Sequence, residues 1–372
     1  MTNIKTHPLS SVNSLFHLYK IDQNTAVYTF NDLIETANLI QNDLPFSKVA
    51  VLFKGEAKVE DLLIYSALKE KGLKPVGYYF KDNFTADVDQ FSGLFYLPED
   101  VRAVLTCELS LSCAVNYFAT VRKIPAYFLL SENIGFQPLN NLTFIRNGHK
   151  VNKFQFSCKK TIAIINGDGF TEETFISIPL SALLFLLDYN LCAMEKNATA
   201  LSKKYNAVKL ALIDLVDNFY RRAQIESAFK VIVPLCEFIK VNQDDLVLFP
   251  FLDSVGAWNN LSDFDKAFAL KQIFKIFLDD EKYLLSNYNA IAGRLGFFFN
   301  VDGGVVLKGI KGRITGLNNA FESGGEIKEE IFCLYKLFLS FEKNYEKHFS
   351  VLKRGKCTDL NLAIDFLSSL KE

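Results

Sequence analysis

The chain has 372 residues, of which 49% are hydrophobic and 22% charged, which excludes a disordered polypeptide and provides for about two domains. Lys and Arg number 41 against 42 Asp and Glu, so bulk electrostatics favour neither nucleic acid nor an acidic membrane surface as a partner. Seven cysteines, odd in number and without a C-x-x-C pair, read as the reduced thiols of a cytoplasmic protein. The first twenty residues lack a continuous apolar run, so no secretory leader is expected. The most apolar stretch, Phe175 to Leu187, contains Pro179 and is too short to span a bilayer; it reads as the start of a buried helix.

In chain order, Ala26 to Phe30 reads as a strand, with Asn31 as the N-cap of a helix over Asp32 to Gln41. Lys48 to Phe53 is a second strand, Val59 to Lys71 a helix stopped by Gly72, and Lys74 to Phe80 a third strand. Val101 to Thr106 is a fourth strand, followed by a helix to Arg122 and a strand over Ala126 to Leu130. Strands alternating with helices predict a parallel sheet covered by helices. LTFIRNGHKVNKFQF then reads as a hairpin with Asn147-Gly148 in a two-residue turn, and Thr161 to Ile165 as a further strand. His149 falls beside that turn as a solvent-facing residue.

From Pro179 the texture is helical: 179–205, 206–223, 226–240, 262–285, 326–348 and 358–371. Asp302-Gly303, between FFF and VVL in the glycine-rich stretch 296–325, reads as a hairpin, and Lys308, Lys311 and Arg313 nearby lack P-loop spacing. The expectation is an α/β dinucleotide-binding-like domain, residues 1–175, and an all-helical domain, residues 176–372, with a cleft between them.

Two stretches carry a family resemblance. In Glu99 to Ser131, EDVRAVLTCELSLSCAVNYFATVRKIPAYFLLS, the helix Ala114 to Val121, the Ile124-Pro125 pair and Ser131 sit at the spacings of a strand, G-G-G-S/T-x-x-D-x-x-K turn, helix and strand ending in P-T. Leu261 to Asp279, LSDFDKAFALKQIFKIFLD, is similar to a helix beginning H-G-E-x-V-A-x-G. Together with the element order these resemble the dehydroquinate synthase-like superfamily, which includes glycerol dehydrogenase, glycerol-1-phosphate dehydrogenase and the iron-containing alcohol dehydrogenases. The resemblance implies a Rossmann-like domain and a helical domain, with NAD(P) and a divalent metal as cofactors.

The departures lie at the residues that would hold those cofactors. Aligned on Asn116-Tyr117, the three glycines are Cys107, Glu108 and Leu109, followed by Ser110, and the Asp and Lys are Cys113 and Asn116. With Ser131 these are the positions matching the family's dinucleotide site. Side chains there crowd a pyrophosphate, and a Glu108 carboxylate 4 Å from a phosphate charge repels it by about 4 kcal/mol at an effective dielectric near 20. Glu108 either places its own carboxylate in the vacant anion site or caps and solvates a helix start. Cys107 and Cys113 flank the turn; a thiol near a helix N-terminus can have a lowered pKa, but a buried structural thiol is the commoner case.

The family holds its metal through one Asp and two His on the helical domain. His7, His17, His149 and His348 all fall outside the matching stretches. The matching positions are Asp188, nine residues after Pro179, Asp263, and the neighbourhood of Pro250 with Asp253 close by. An all-carboxylate set of Asp188, Asp253 and Asp263 would suit Mg²⁺ or Mn²⁺ better than zinc; the other reading makes Asp188 an ordinary helix residue and Asp263 part of a solvated capping turn. With the glycines and histidines replaced, no cofactor is expected, neither NAD(P) nor zinc or iron. Three function classes stay open: a divergent relative that has lost this chemistry and binds a metabolite in the interdomain cleft or a protein partner; an atypical NAD(P)-linked oxidoreductase or dehydroquinate synthase-like cyclase; and a subunit supporting an active paralogue, with the Phe-rich helices as its surface. Whether the chain is an enzyme, and whether it forms a homo-oligomer, stays open with them.

Overall fold

Short runs rich in Val, Ile, Leu and Phe, with helices between them, give a sheet whose strands are buried on both faces. In the computed structural model these runs are β1 (Phe16–Lys20), β2 (Thr25–Phe30), β3 (Lys48–Lys54), β4 (Lys74–Phe80), β5 (Val101–Thr106), β6 (Ala126–Leu130) and β9 (Lys160–Ile165), with β7 (Leu142–Asn147) and β8 (Lys150–Gln155) as a separate hairpin. The helices are α1 (Leu33–Asp43), α2 (Val59–Glu70), α3 (Val88–Ser92), α4 (Ser112–Arg122), α5 (Ser177–Glu195), α6 (Lys203–Asn218), α7 (Ile225–Val241), α8 (Asp263–Leu278) and α9 (Gly325–Asn344). The structure describes residues 16–20, 24–30, 33–56, 59–81, 87–130, 142–147, 150–165, 176–196, 201–218, 225–242, 245–246, 263–278 and 325–344. The chain divides into two compact units, Met1–Phe175 with Asp253–Asn259, and Ile176–Leu252 with Asn260–Glu372.

In the first unit the strand order is β1-β2-β9-β6-β5-β3-β4. The six strands from β2 to β4 run parallel, and β1 pairs antiparallel with β2. Val49, Val51 and Phe53 of β3, Ala103 and Leu105 of β5, and Tyr127 and Leu129 of β6 share one core with Ala37 and Ile40 of α1 and Ile64, Ala67 and Leu68 of α2. Alternate residues point to the other face, and α4 packs on β5 and β6. Gly72 ends the α2 region with φ +77, and exposed Lys123 takes the same left-handed conformation, φ +57, as C-cap of α4.

Two sequence expectations shift. Asn147 pairs with Lys150, so Asn147 is the last residue of β7 and the two-residue connection is 148–149, one position later than read; residues 148 and 149 lie outside the described residues. The helix expected over 179–205 ends at Glu195, and a new one starts at Lys203, where the Ser202 hydroxyl accepts the Tyr205 N–H at 3.2 Å as an N-cap. The expected hairpin at Asp302-Gly303 and the helix over 358–371 lie outside the described residues.

In the second unit α5 is buried on every side: Ile178, Leu180, Ala182 and Leu183 to Leu187 have no exposure, as befits a helix apolar all round. Pro179 sits in its first turn, where a missing N–H is tolerated. Among the described residues, no helix is long and apolar enough to cross a membrane.

Candidate functional site

The chain runs from β3 through α2 to β4 on one side of β3, then returns through α3 to β5 on the other. The order therefore reverses between β3 and β5, and open α/β sheets bind ligands at the carboxyl ends of strands at such a switch point. The β3–β5 ladder ends at Leu52↔Thr106, whereas β3 continues beside β4 to Lys54↔Phe80. Lys54 of β3 thus projects past the last residue of β5, and the turn of interest, Cys107 and Glu108, begins there.

Side chains continue the ladder. The buried Thr106 hydroxyl donates to the Leu52 carbonyl at 3.0 Å and accepts the Glu108 N–H at 3.1 Å. Glu108 Oε1 accepts the Lys54 backbone N–H at 3.0 Å. Glu108 has extended backbone, φ −108 and ψ 119, and precedes a 3-10 turn over Leu109–Leu111 without a side-chain capping bond. Its carbonyl, not its carboxylate, meets that turn, accepting the Leu111 N–H at 3.1 Å. The carboxylate goes to the end of the neighbouring strand and takes an amide donor there, without capping the 3-10 turn.

Cys107 packs against the core of α1 and α2. Burial pushes its thiol well above the ordinary cysteine range, and the carboxylates of Glu108 and Asp61 push it the same way. Desolvation is the larger cause, and the two negative neighbours add to it. Ser110 lies in the 3-10 turn, half-buried, and Cys113 in the first turn of α4. Asn116 is buried, and among the described residues its Nδ2 has no partner, while the Cys158 thiol faces its Oδ1 at 3.7 Å. Ser131 lies outside the described residues.

Two residues that the sequence reading missed complete the site. Thr106 carries the link between β3 and the turn; its signal was a hydroxyl as the last residue of an otherwise apolar strand. Asp61, buried to 6% exposure in α2, accepts a hydrogen bond from Tyr79; its signal was a carboxylate on the face shared with Ile64 and Leu68. Above it the Tyr79 and Tyr65 rings stack against Phe53 at 4.9 and 5.9 Å. The carboxyl end of β3 and β5 is therefore negative and aromatic. A dinucleotide pyrophosphate needs close approach of glycine backbone and donors, and Cys107, Glu108 and Leu109 stand at the positions where the family has glycine.

In the second unit Asp188 has no exposure within α5, and Asp263 opens α8 in an ion pair with Lys266 at 3.3 Å. Asp253 lies outside the described residues. Among the described residues, no three His, Cys, Asp or Glu side chains form a metal-holding group. The carboxylates at the matching positions also lack the imidazole and thiolate donors that zinc and iron prefer.

No family model matches the chain, and no curated protein does. Solved structures do. An iron-containing alcohol dehydrogenase from Thermotoga maritima is 14% identical, with 87% of this chain and 99% of that one covered at a TM-score of 0.47. A probable glycerol dehydrogenase from Sinorhizobium meliloti is 10% identical over 78% and 96%, TM-score 0.48, and the glycerol dehydrogenase of Schizosaccharomyces pombe 11% over 92% and 95%, TM-score 0.45. These neighbours are alcohol dehydrogenases of the iron-containing and glycerol types. At such identities and scores the likeness says nothing of chemistry, and the sheet order rests on the ladder registers themselves.

Proposed function

We propose that this chain is a divergent relative of the dehydroquinate synthase and iron-containing alcohol dehydrogenase group that no longer runs metal-dependent NAD(P) chemistry and instead binds a metabolite or a protein partner. The resemblance of Glu99 to Ser131 supports the ancestry. One observation carries the loss: at the switch point, where relatives would need bare glycine backbone, the Glu108 carboxylate sits 3.0 Å from the Lys54 amide with Cys107 packed behind it. A phosphate there would meet a like charge and two side chains. Reduced cytoplasmic thiols and a small-molecule ligand remain part of this reading.

A thermal-shift screen of the full chain against NAD⁺, NADP⁺, nucleotides, sugar phosphates and divalent metals tests it. A ligand at a hundred times its Kd adds about 2.7 kcal/mol to stability, enough to move Tm by roughly 5 to 10 °C in a domain of this size. The expected result is a shift with a metabolite and none with NAD⁺, NADP⁺, zinc or iron. A shift with NAD⁺ would restore the oxidoreductase reading.

A further inference from the structure

We propose that Glu108 is a built-in occupant of the switch-point crevice: an autoinhibitory contact that closes the β3–β5 end to anionic ligands and whose removal opens it. In an open parallel sheet the strand ends at a switch point are left apart, because the connections leave them in opposite directions. Here the gap is laced by three side-chain bonds in series. Thr106 Oγ1 donates to the Leu52 carbonyl, the Glu108 N–H donates to Thr106 Oγ1, and Glu108 Oε1 takes the Lys54 N–H, at 3.0, 3.1 and 3.0 Å. The last of these is the main-chain donor at the tip of β3, two residues beyond the end of the β3–β5 ladder.

An anion entering the crevice would take that donor. A carboxylate from the chain itself already has it, in the charge-assisted form of the bond, and is tethered so that it cannot diffuse away. The tether is short and fixed: Glu108 stands two residues after the end of β5, with its own N–H and carbonyl both engaged. The contact is therefore part of the fold and needs no ligand. The inference rests on the reading above, because the same contact carries both; exchange at Lys54 tests whether Glu108 closes the strand end, whereas the ligand screen tests the loss of cofactor chemistry, so either can fail without the other.

Amide hydrogen exchange at Lys54 in the full chain, with and without inorganic pyrophosphate, tests it. In the unmodified protein the Lys54 amide is expected to be protected and indifferent to pyrophosphate. In Glu108→Ala its exchange should quicken by about ten- to a hundredfold, the worth of a hydrogen bond to a charged group, while the amides of Val51 and Leu105 in mid-ladder keep their protection. Pyrophosphate should then restore protection at Lys54. Glu108→Gln keeps an acceptor in place and should leave Lys54 protected; Glu108→Ser repeats the alanine measurement should that variant fold poorly. Equal exchange in the unmodified and Glu108→Ala proteins would overturn the proposal. So would pyrophosphate protection of Lys54 in the unmodified protein, or opened variants that pyrophosphate does not protect.

Discussion

Replacing Tyr205 by Phe probes the buried polar chain that joins α5, α6 and α9 in the helical unit. Tyr205 is fully buried, accepts a hydrogen bond from Asn190 Nδ2 at 2.7 Å and donates one to Glu330 Oε1 at 2.8 Å. Asn190 gives its other N–H to the Leu186 carbonyl at 2.8 Å, and Lys209 holds the far oxygen of Glu330 at 2.7 Å. Tyr205→Phe keeps the ring and its stack on Tyr189, so packing is unchanged and only the hydroxyl is lost. Glu330 retains its lysine. Asn190 does not recover, because it has no exposure and, among the described residues, its Oδ1 has no partner either. One lost bond with one orphaned buried N–H costs about 2 to 3 kcal/mol. Urea unfolding followed by far-ultraviolet circular dichroism measures it. Adding Asn190→Leu to Tyr205→Phe removes the orphan, so the double variant should be less destabilised than the sum of the singles by about 1 to 2 kcal/mol. A Tyr205→Phe cost within experimental error of zero, or strictly additive singles, would refute the assignment.

Lys123→Gly should stabilise the first unit by about 0.5 to 1 kcal/mol, because the exposed C-cap holds a left-handed φ of +57 that a β-carbon disfavours; thermal unfolding checks it. Gly77→Ala should destabilise by about 1 to 3 kcal/mol, since a β-carbon there collides with the Tyr65 hydroxyl, and Tyr65→Phe in the same chain should recover part of the loss in the same assay. Stability should also fall on the alkaline side. Burial raises Cys107, Cys158, Tyr127 and Tyr205, so each stays protonated in the folded state after its unfolded form has ionised. Their contribution is complete below about pH 8.5, is lost first through the cysteines and above about pH 10 through the tyrosines, at up to about 1.4 kcal/mol per pH unit for each fully buried group. Urea midpoints from pH 7 to 11 should show this decline, and Tyr127→Phe should flatten its upper part.

The strands that the sequence predicts best are those buried on both faces. β3 and β6 are continuous apolar runs, buried on successive residues, and Gly72 marks the end of α2 because its left-handed backbone suits glycine. What the sequence hides is non-local. The place of β9 between β2 and β6 follows from pairing between segments far apart in the chain, and β1, Phe16–Lys20, becomes a strand only by lying against β2. The start of α6 at Lys203 is marked by Ser202, a single capping hydroxyl inside an otherwise helical pattern. At the site, the loss of the three glycines is plain from Cys107, Glu108 and Leu109 alone. The destination of the Glu108 carboxylate is not, since it reaches a backbone amide 54 residues away that no local spacing reveals.

Calorimetric titration of the unmodified protein with NAD⁺ tests the central claim most directly. The account predicts no saturable heat, with any Kd weaker than about 1 mM, because Glu108 and Cys107 fill the strand end that a pyrophosphate would need. Micromolar binding would contradict it and place a working dinucleotide site at the end of β5.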